Sequence, residues 1–276
     1  MTDATIVELE NQHTVSEAPP FALFGLSGTA LLTACGGGGG TSTTAAITPD
    51  NSLANNLALT DAARFLRQAS WGGTSNEIKD LATTGQQGWL NAQFNAPQGQ
   101  SLTRWLIEKG FNDASVSSNV NGDGGWVQSI WWKLFSATDL FRQRAALALS
   151  ELFVVSHLGL PFSWRNFAIA NYWEILEANA LGNFRTLLEN VTLSSAMGTY
   201  LNMKGNQKYD AKTGRSPDEN YAREVMQLFT IGLYQLNIDG TLQLDAQGKP
   251  IESYDNADIQ GLARVFTGWN TATGTD

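Results

Sequence analysis

Signals that start and stop helices recur along most of this chain, and a period-two pattern appears in only one stretch. Thr74-Ser75-Asn76-Glu77 has the spacing of a capping box, in which an N-cap hydroxyl and a carboxylate three residues on satisfy each other's backbone N–H. It opens a helix to about Thr83, and Gly85 is the expected stop. Thr60 is the expected cap of a helix through Gln68, and residues 86–94 form a third short helix before Pro97. After a polar loop at 111–125, residues 126–136 read as helical. The run 140–155 is apolar on almost every side and is expected to be a helix buried all round. Further helices are expected at 164–181 (Ser163 as cap, Gly182 as stop), at 184–191 behind Asn183, and at 196–201. The last is capped by Asp255 or Asn256, carries Ile259, Leu262 and Phe266 on one face, and stops at Gly268. Only 233–252 alternates, with turn signals at Asp239-Gly240 and at Asp245 to Gly248. The expected fold is mainly α: an irregular multi-helix bundle with one small β-ribbon at about 233–252.

Composition supports a large core. Of 276 residues, 42% are hydrophobic and only 16% charged, with nine Trp and thirteen Phe. Each buried aromatic removes ~150–250 Å² from water. The formal net charge is −9, and no basic stripe is present to displace counterions, so nucleic acid is disfavoured as a partner. One cysteine, Cys35, allows no internal disulfide, and the two histidines, His13 and His157, form no zinc pattern. No metal or cofactor is expected. No nucleophile elbow, phosphate loop or dinucleotide fingerprint is present.

The first 63 residues contain no Lys or Arg. Residues 21–34 form a short apolar run, below the ~20 residues that span a bilayer but of the length of a signal-peptide core. It ends in Leu32-Thr33-Ala34-Cys35, which is similar to a bacterial lipoprotein box. The acids Asp3, Glu8, Glu10 and Glu17 stand where a signal peptide carries positive charge, so a disordered leader with a chance cysteine is the competing reading. Residues 1–35 are thus read as a signal-like leader and 36–58, rich in Gly, Ser and Thr, as a linker. A helical domain is expected over 59–276, with Cys35 as candidate lipidation site and a lipid there as the one expected membrane contact.

Five stretches carry a family resemblance: 62–72 (AARFLRQASWG), 142–156 (RQRAALALSELFVVS), 182–188 (GNFRTLL), 217–232 (PDENYAREVMQLFTIG) and 258–269 (DIQGLARVFTGW). In order and spacing they resemble domain-of-unknown-function family 1800. The resemblance implies an exported bacterial protein, and with the lipobox-like Cys35 the expected location is the periplasm or an anchor at the outer membrane. It also implies a neighbour gene for a co-exported protein that resembles the alkaline-phosphatase superfamily. It implies a further helical portion after Gly268-Trp269, so the chain is expected to be C-terminally truncated. Other branches have a Trp- and His-containing motif where this chain has Leu149-Ser150-Glu151-Leu152, and Glu and His where it has Gln227 and Phe229.

The chemistry-bearing candidates lie mainly on the fourth stretch. Ser216-Pro217-Asp218-Glu219 has capping-box spacing with Pro at the first helical position. At ~100° per residue, Glu219, Asn220, Arg223, Glu224 and Gln227 share one polar arc, with Glu219–Arg223 and Asn220–Glu224 as i,i+4 neighbours. The arc is either a paired surface face or a cleft wall, with Glu219 or Glu224 as catalytic carboxylate and Asn220 and Arg223 as binding residues. Glu151 is the third catalytic candidate. Within an apolar run its carboxyl would be desolvated, as a general acid requires, or else paired with Arg142, Arg185 or Arg264. His157, past a helix end, reads as structural. Asn237, Asp239 and Asp245 read as turn residues rather than calcium ligands. Trp126, Trp131 and Trp132 read as core rather than a sugar platform. Two functions remain: a non-catalytic exported envelope protein, scaffold or partner of a co-exported protein, and an envelope hydrolase using a carboxylate pair, on polysaccharide for example.

Overall fold

The computed structural model describes residues 51–270, with side chains from residue 58 onward. The expected leader, most of the linker and Cys35 lie outside the described residues. Among these there are twelve α-helices, and extended pairing is limited to isolated bridges.

The first three helices make a small unit. Helix α1 (Asn51–Ala69) starts well before the expected Thr60, which lies inside it. Ala62 and Leu66, one helical turn apart, bury against Leu81 of α2 (Ser75–Thr84). Gly72 at φ 103° ends the first turn, with its N–H on the Leu66 carbonyl. Thr74 and Glu77 form the expected capping box, and Gly85 stops α2 at φ 80°. Helix α3 (Gln86–Asn95) adds Trp89, packed edge-on to Phe65 at 5.3 Å.

The main core collects α4 (Leu102–Glu108), α6 (Trp126–Ser136), α7 (Leu140–Leu152), α8 (Arg165–Asn179), α9 (Phe184–Thr192) and α10 (Ser195–Tyr200). The short α5 (Ser117–Asn121) lies within the expected polar loop and is fixed by buried Asn119, whose Nδ2 donates to the Gly110 and Asp113 carbonyls. The helix buried on most sides is α8, not α7. Ile169, Ala170, Tyr172, Trp173 and Leu176 of α8 are buried, whereas α7 buries only Gln143 and Ala146. The apolar pattern of 140–155 cannot say which helix other helices surround, and here α4, α7, α9 and α10 all pack on α8. Two caps differ in kind. Trp164, not Ser163, takes the N-cap place of α8, in the left-handed region at φ 61°, with its N–H on the Val120 carbonyl. Asn183 caps α9 as expected, its Oδ1 accepting from the N–H groups of Arg185 and Thr186.

A set of charges lies within this core. Lys133 of α6 and Glu177 of α8 are buried at 3.0 Å. Lys133 Nζ also donates to the Gln100 carbonyl, and Gln98 Nε2 donates to Glu177 Oε2. Buried Asp139 receives Gln143 Nε2 and pairs with Arg142 at 3.4 Å. Two cations and two anions thus cancel where water is excluded.

The last described elements pack on each other. Helix α11 (Asn220–Glu224) continues into a π-helical turn, Val225–Phe229. Helix α12 (Asn256–Val265) opens on an Asp255/Asp258 capping box and buries Ile259 and Ala263 against Ala222. Between them the alternating stretch folds as a three-way ribbon. Gln243 N–H donates to the Gln235 carbonyl, Gln235 N–H to Ile251, and Ile251 N–H back to Gln243, each at 2.9 Å. Gly240 at φ 83° and Gly248 at φ 78° make its two turns. Asp239 Oδ1 accepts from the Thr241 backbone and hydroxyl, and these bonds hold its carboxyl below the usual carboxylate range. Asp245 Oδ1 caps the second turn through the N–H groups of Gln247 and Lys249. Turn chemistry therefore accounts for both acids.

Candidate functional site

The Ser216 capping box does not form. The helix begins at Asn220, and the preceding residues are held from outside by a long-range clamp. Buried Asn206 accepts from the Asp218 N–H at 2.8 Å through Oδ1 and donates to its carbonyl at 3.1 Å through Nδ2. Asp218 Oδ1 then accepts from the Asn220 N–H at 2.8 Å. Asn206 was not a candidate from sequence, since an isolated Asn in a polar stretch gives no local signal of its distant partner.

The expected ion pair is present: Arg223 Nη2 donates to Glu219 Oε2 at 3.1 Å, with both side chains partly exposed. The single polar arc is not. Glu219 lines a cavity of about 340 Å³ with Tyr209, Ser216 and Arg264. Arg223 lines another of about 280 Å³ with Tyr234, Glu252 and Tyr254. Glu224 lines a third of about 300 Å³ with Glu151, Leu152, Val154, Tyr200 and Leu228. The arc is divided by what packs around it: α12 beside Glu219, the ribbon beside Arg223, and α7 with α10 beside Glu224. The π turn, which closes i→i+5 from Val225 on, moves only Gln227 off the expected register. Asn220 is half-buried at the first helical position.

Of the candidate carboxylates, the structure brings together Glu151 and Glu224, from helices far apart in sequence, and separates Glu219 from both. Glu151 is exposed, so the burial expected of it is missing. It is not paired with Arg142 either, whose guanidinium turns to Asp139 and the Glu177 carbonyl. Glu224 Oε2, in contrast, is shielded from solvent and has no hydrogen-bond partner. His157 pairs with Asp123 at 3.0 Å, which ties the short turn His157–Gly159 to the Asp123–Gly125 segment.

The three tryptophans divide. Trp126 is buried against Trp173, and half-buried Trp132 stacks on Trp105 at 5.7 Å. Trp131 does not join the core. It is 54% exposed and stacks on Phe135, itself 77% exposed, at 5.5 Å. Their spacing along a helix could not say whether the face they share meets protein or solvent.

Among the described residues no helix is long and apolar enough to cross a membrane. No curated protein and no solved structure matches the chain. A family model matches residues 64–276, which takes in nearly all of the five stretches that carry the resemblance and every candidate carboxylate. The chain therefore belongs to the family described as protein of unknown function (DUF1800).

Proposed function

We propose that this protein is an exported scaffold of the bacterial envelope that holds a co-exported protein, and that α6 provides the contact surface. One observation carries the proposal. Val127, Trp131 and Phe135 recur at i, i+4 and i+8 on α6 and leave an apolar stripe facing water. Trp is enriched among the residues that dominate binding energy, and a ring already stacked on a neighbour loses little freedom on docking. Location in the periplasm or at the outer membrane rests on the apolar run 21–34 and on Cys35 as lipid acceptor.

The test is site-specific photo-cross-linking at position 127 in intact cells, followed by purification and mass spectrometry. One envelope protein should be captured, and the double variant Trp131→Ser/Phe135→Ser should lose it while melting at an unchanged temperature. Recovery that does not depend on those two side chains would overturn the assignment of α6.

The alternative, a carboxylate-pair hydrolase, draws support from Glu151 and Glu224 lining one cavity. It needs one of the two kept protonated near neutral pH, and the exposure of Glu151 removes that reason for Glu151. Release of reducing ends from envelope polysaccharide by the wild type, lost in Glu224→Gln, would favour this alternative over the scaffold.

A further inference from the structure

We propose that the cavity between the 205–216 loop and α12 binds one anionic sugar residue, with its phosphate or carboxylate on Arg264 and its ring against Tyr209. The cavity encloses about 340 Å³, at the lower end of the size of small-molecule sites. Asp210 N–H donates to the Arg215 carbonyl at 3.0 Å, and this bridge brings Tyr209 and Ser216, which flank it, to one wall. The clamp of Asn206 on Asp218 fixes Glu219 beside them. Gln260 and Arg264, one turn apart on α12, form the opposite side. The Tyr209 ring is 61% exposed and has no ring partner among the described residues. Arg264 Nε donates to the Gln260 carbonyl at 3.2 Å, and among the described residues its guanidinium lies in no salt bridge.

Charge selects the ligand. The chain carries −9 overall, yet the loop that brings Tyr209 and Ser216 to the cavity holds Lys208, Lys212 and Arg215 against a single acid, Asp210. Among the described residues none of these three cations lies in a salt bridge, and Asp210 is engaged by the Lys212 N–H and the Thr213 hydroxyl. The next acids are engaged from outside the cavity, Asp218 by the Asn220 N–H and Glu219 by Arg223. Lys208, Lys212, Arg215, Arg223 and Arg264 thus outnumber Asp210, Asp218 and Glu219, so an acidic protein presents a positive field here, which draws anions in. A bare oxyanion would leave the exposed Tyr209 ring and the Glu219 carboxylate unused, and a neutral sugar would leave the Arg264 fork unused. A sugar phosphate or sugar acid meets all three. Its ring face covers Tyr209, its hydroxyls donate to Glu219, and its oxyanion takes two hydrogen bonds from the guanidinium. The cavity uses no residue of the α6 stripe and neither Glu151 nor Glu224, so this inference stands apart from both readings of function.

The experiment is titration of the full chain, followed by saturation-transfer NMR, with glucose-6-phosphate and glucuronate as anionic sugars and with glucose and inorganic phosphate as their separate halves. At least one anionic sugar should bind roughly tenfold or more tightly than either half, and the one that does identifies the oxyanion. Its affinity should fall as sodium chloride is raised. Arg264→Met should weaken it by roughly ten- to hundredfold, and Tyr209→Ser by a smaller factor. Lys208→Met/Lys212→Met should weaken the anionic sugar and leave glucose unchanged. Lys79→Met, which removes an equal charge on α2 outside the lining, should leave binding unchanged. All of these side chains are exposed, so the variants should melt as the wild type does. Inorganic phosphate or glucose binding as tightly as the anionic sugars, no binding of either anionic sugar, or binding undiminished in both Arg264→Met and Tyr209→Ser would each overturn the inference.

Discussion

Lys133 Nζ lies 3.0 Å from Glu177 Oε2 with both side chains removed from solvent, so α6 and α8 are joined by a charge pair inside the core. Removing one partner strands the other charge in a medium that solvates it poorly. Lys133→Met should therefore cost about 3–5 kcal/mol in chemical denaturation at pH 7. Lys133→Met/Glu177→Leu should recover most of that loss, because an apolar pair leaves no uncompensated charge. A double variant as unstable as the single one would show that the pair is not the source of the effect.

The same pair sets a pH dependence. Burial pushes the Glu177 carboxyl above its ordinary 4.5, and nearby Lys133 only partly opposes the shift. A carboxyl with a raised folded-state value contributes stability that is complete below its unfolded value and is lost as pH rises through the folded one. The stability of wild type minus that of Glu177→Gln should fall as pH climbs above 4.5. In the Lys133→Met background, without the opposing cation, the fall should be steeper and extend to higher pH. Urea titrations at a series of pH values measure this, and a difference that grows with pH would contradict it.

Asn206 and Ser216 offer a direct contrast. The sequence pattern gives the capping role to Ser216, and the structure gives the positioning of Asp218 to Asn206. Asn206→Ala should cost about 1–3 kcal/mol, since it removes two part-buried hydrogen bonds to the Asp218 backbone. Exposed Ser216 makes no cap, and Ser216→Ala should stay within about 0.5 kcal/mol of wild type. Comparison of their thermal melts decides between the two, and a larger loss at Ser216 would restore the local cap.

Lipid attachment at Cys35 has its own readout. Cells fed a palmitate analogue should label the full-length protein, and Cys35→Ala should abolish the label. Label that survives the substitution would remove the envelope anchor from the proposed function.

Much of the local architecture was legible because it is made of contacts a few residues apart. Thr74 with Glu77, Asn183 with Thr186, and Asp255 with Asp258 satisfy orphan helix N–H groups within one turn. Gly240 and Gly248 took the turn conformations their neighbours implied. Errors arose where a long-range contact overrode a local pattern. Asn206 displaced the Ser216 box, and α12, the ribbon and the α7–α10 pair divided the polar arc among three cavities. The candidate carboxylates were identified from the chain, but their grouping was not, since Glu151 and Glu224 line one cavity only because the end of α7 packs on the π turn, Phe153 against Phe229.

The sequence by itself determined a mainly helical chain of the DUF1800 family, the principal caps and turns, and the residues that carry charge. Those properties follow from backbone hydrogen bonding and side-chain period, which act over three to five residues. Only the tertiary structure decided that α8 rather than α7 is central and that Lys133 and Glu177 cancel inside the core. It also decided that Trp131 faces water and that Glu224 shares a cleft with Glu151 rather than with Glu219. Each of these depends on which faces of distant helices meet, and burial and pairing are properties of that meeting rather than of any one helix.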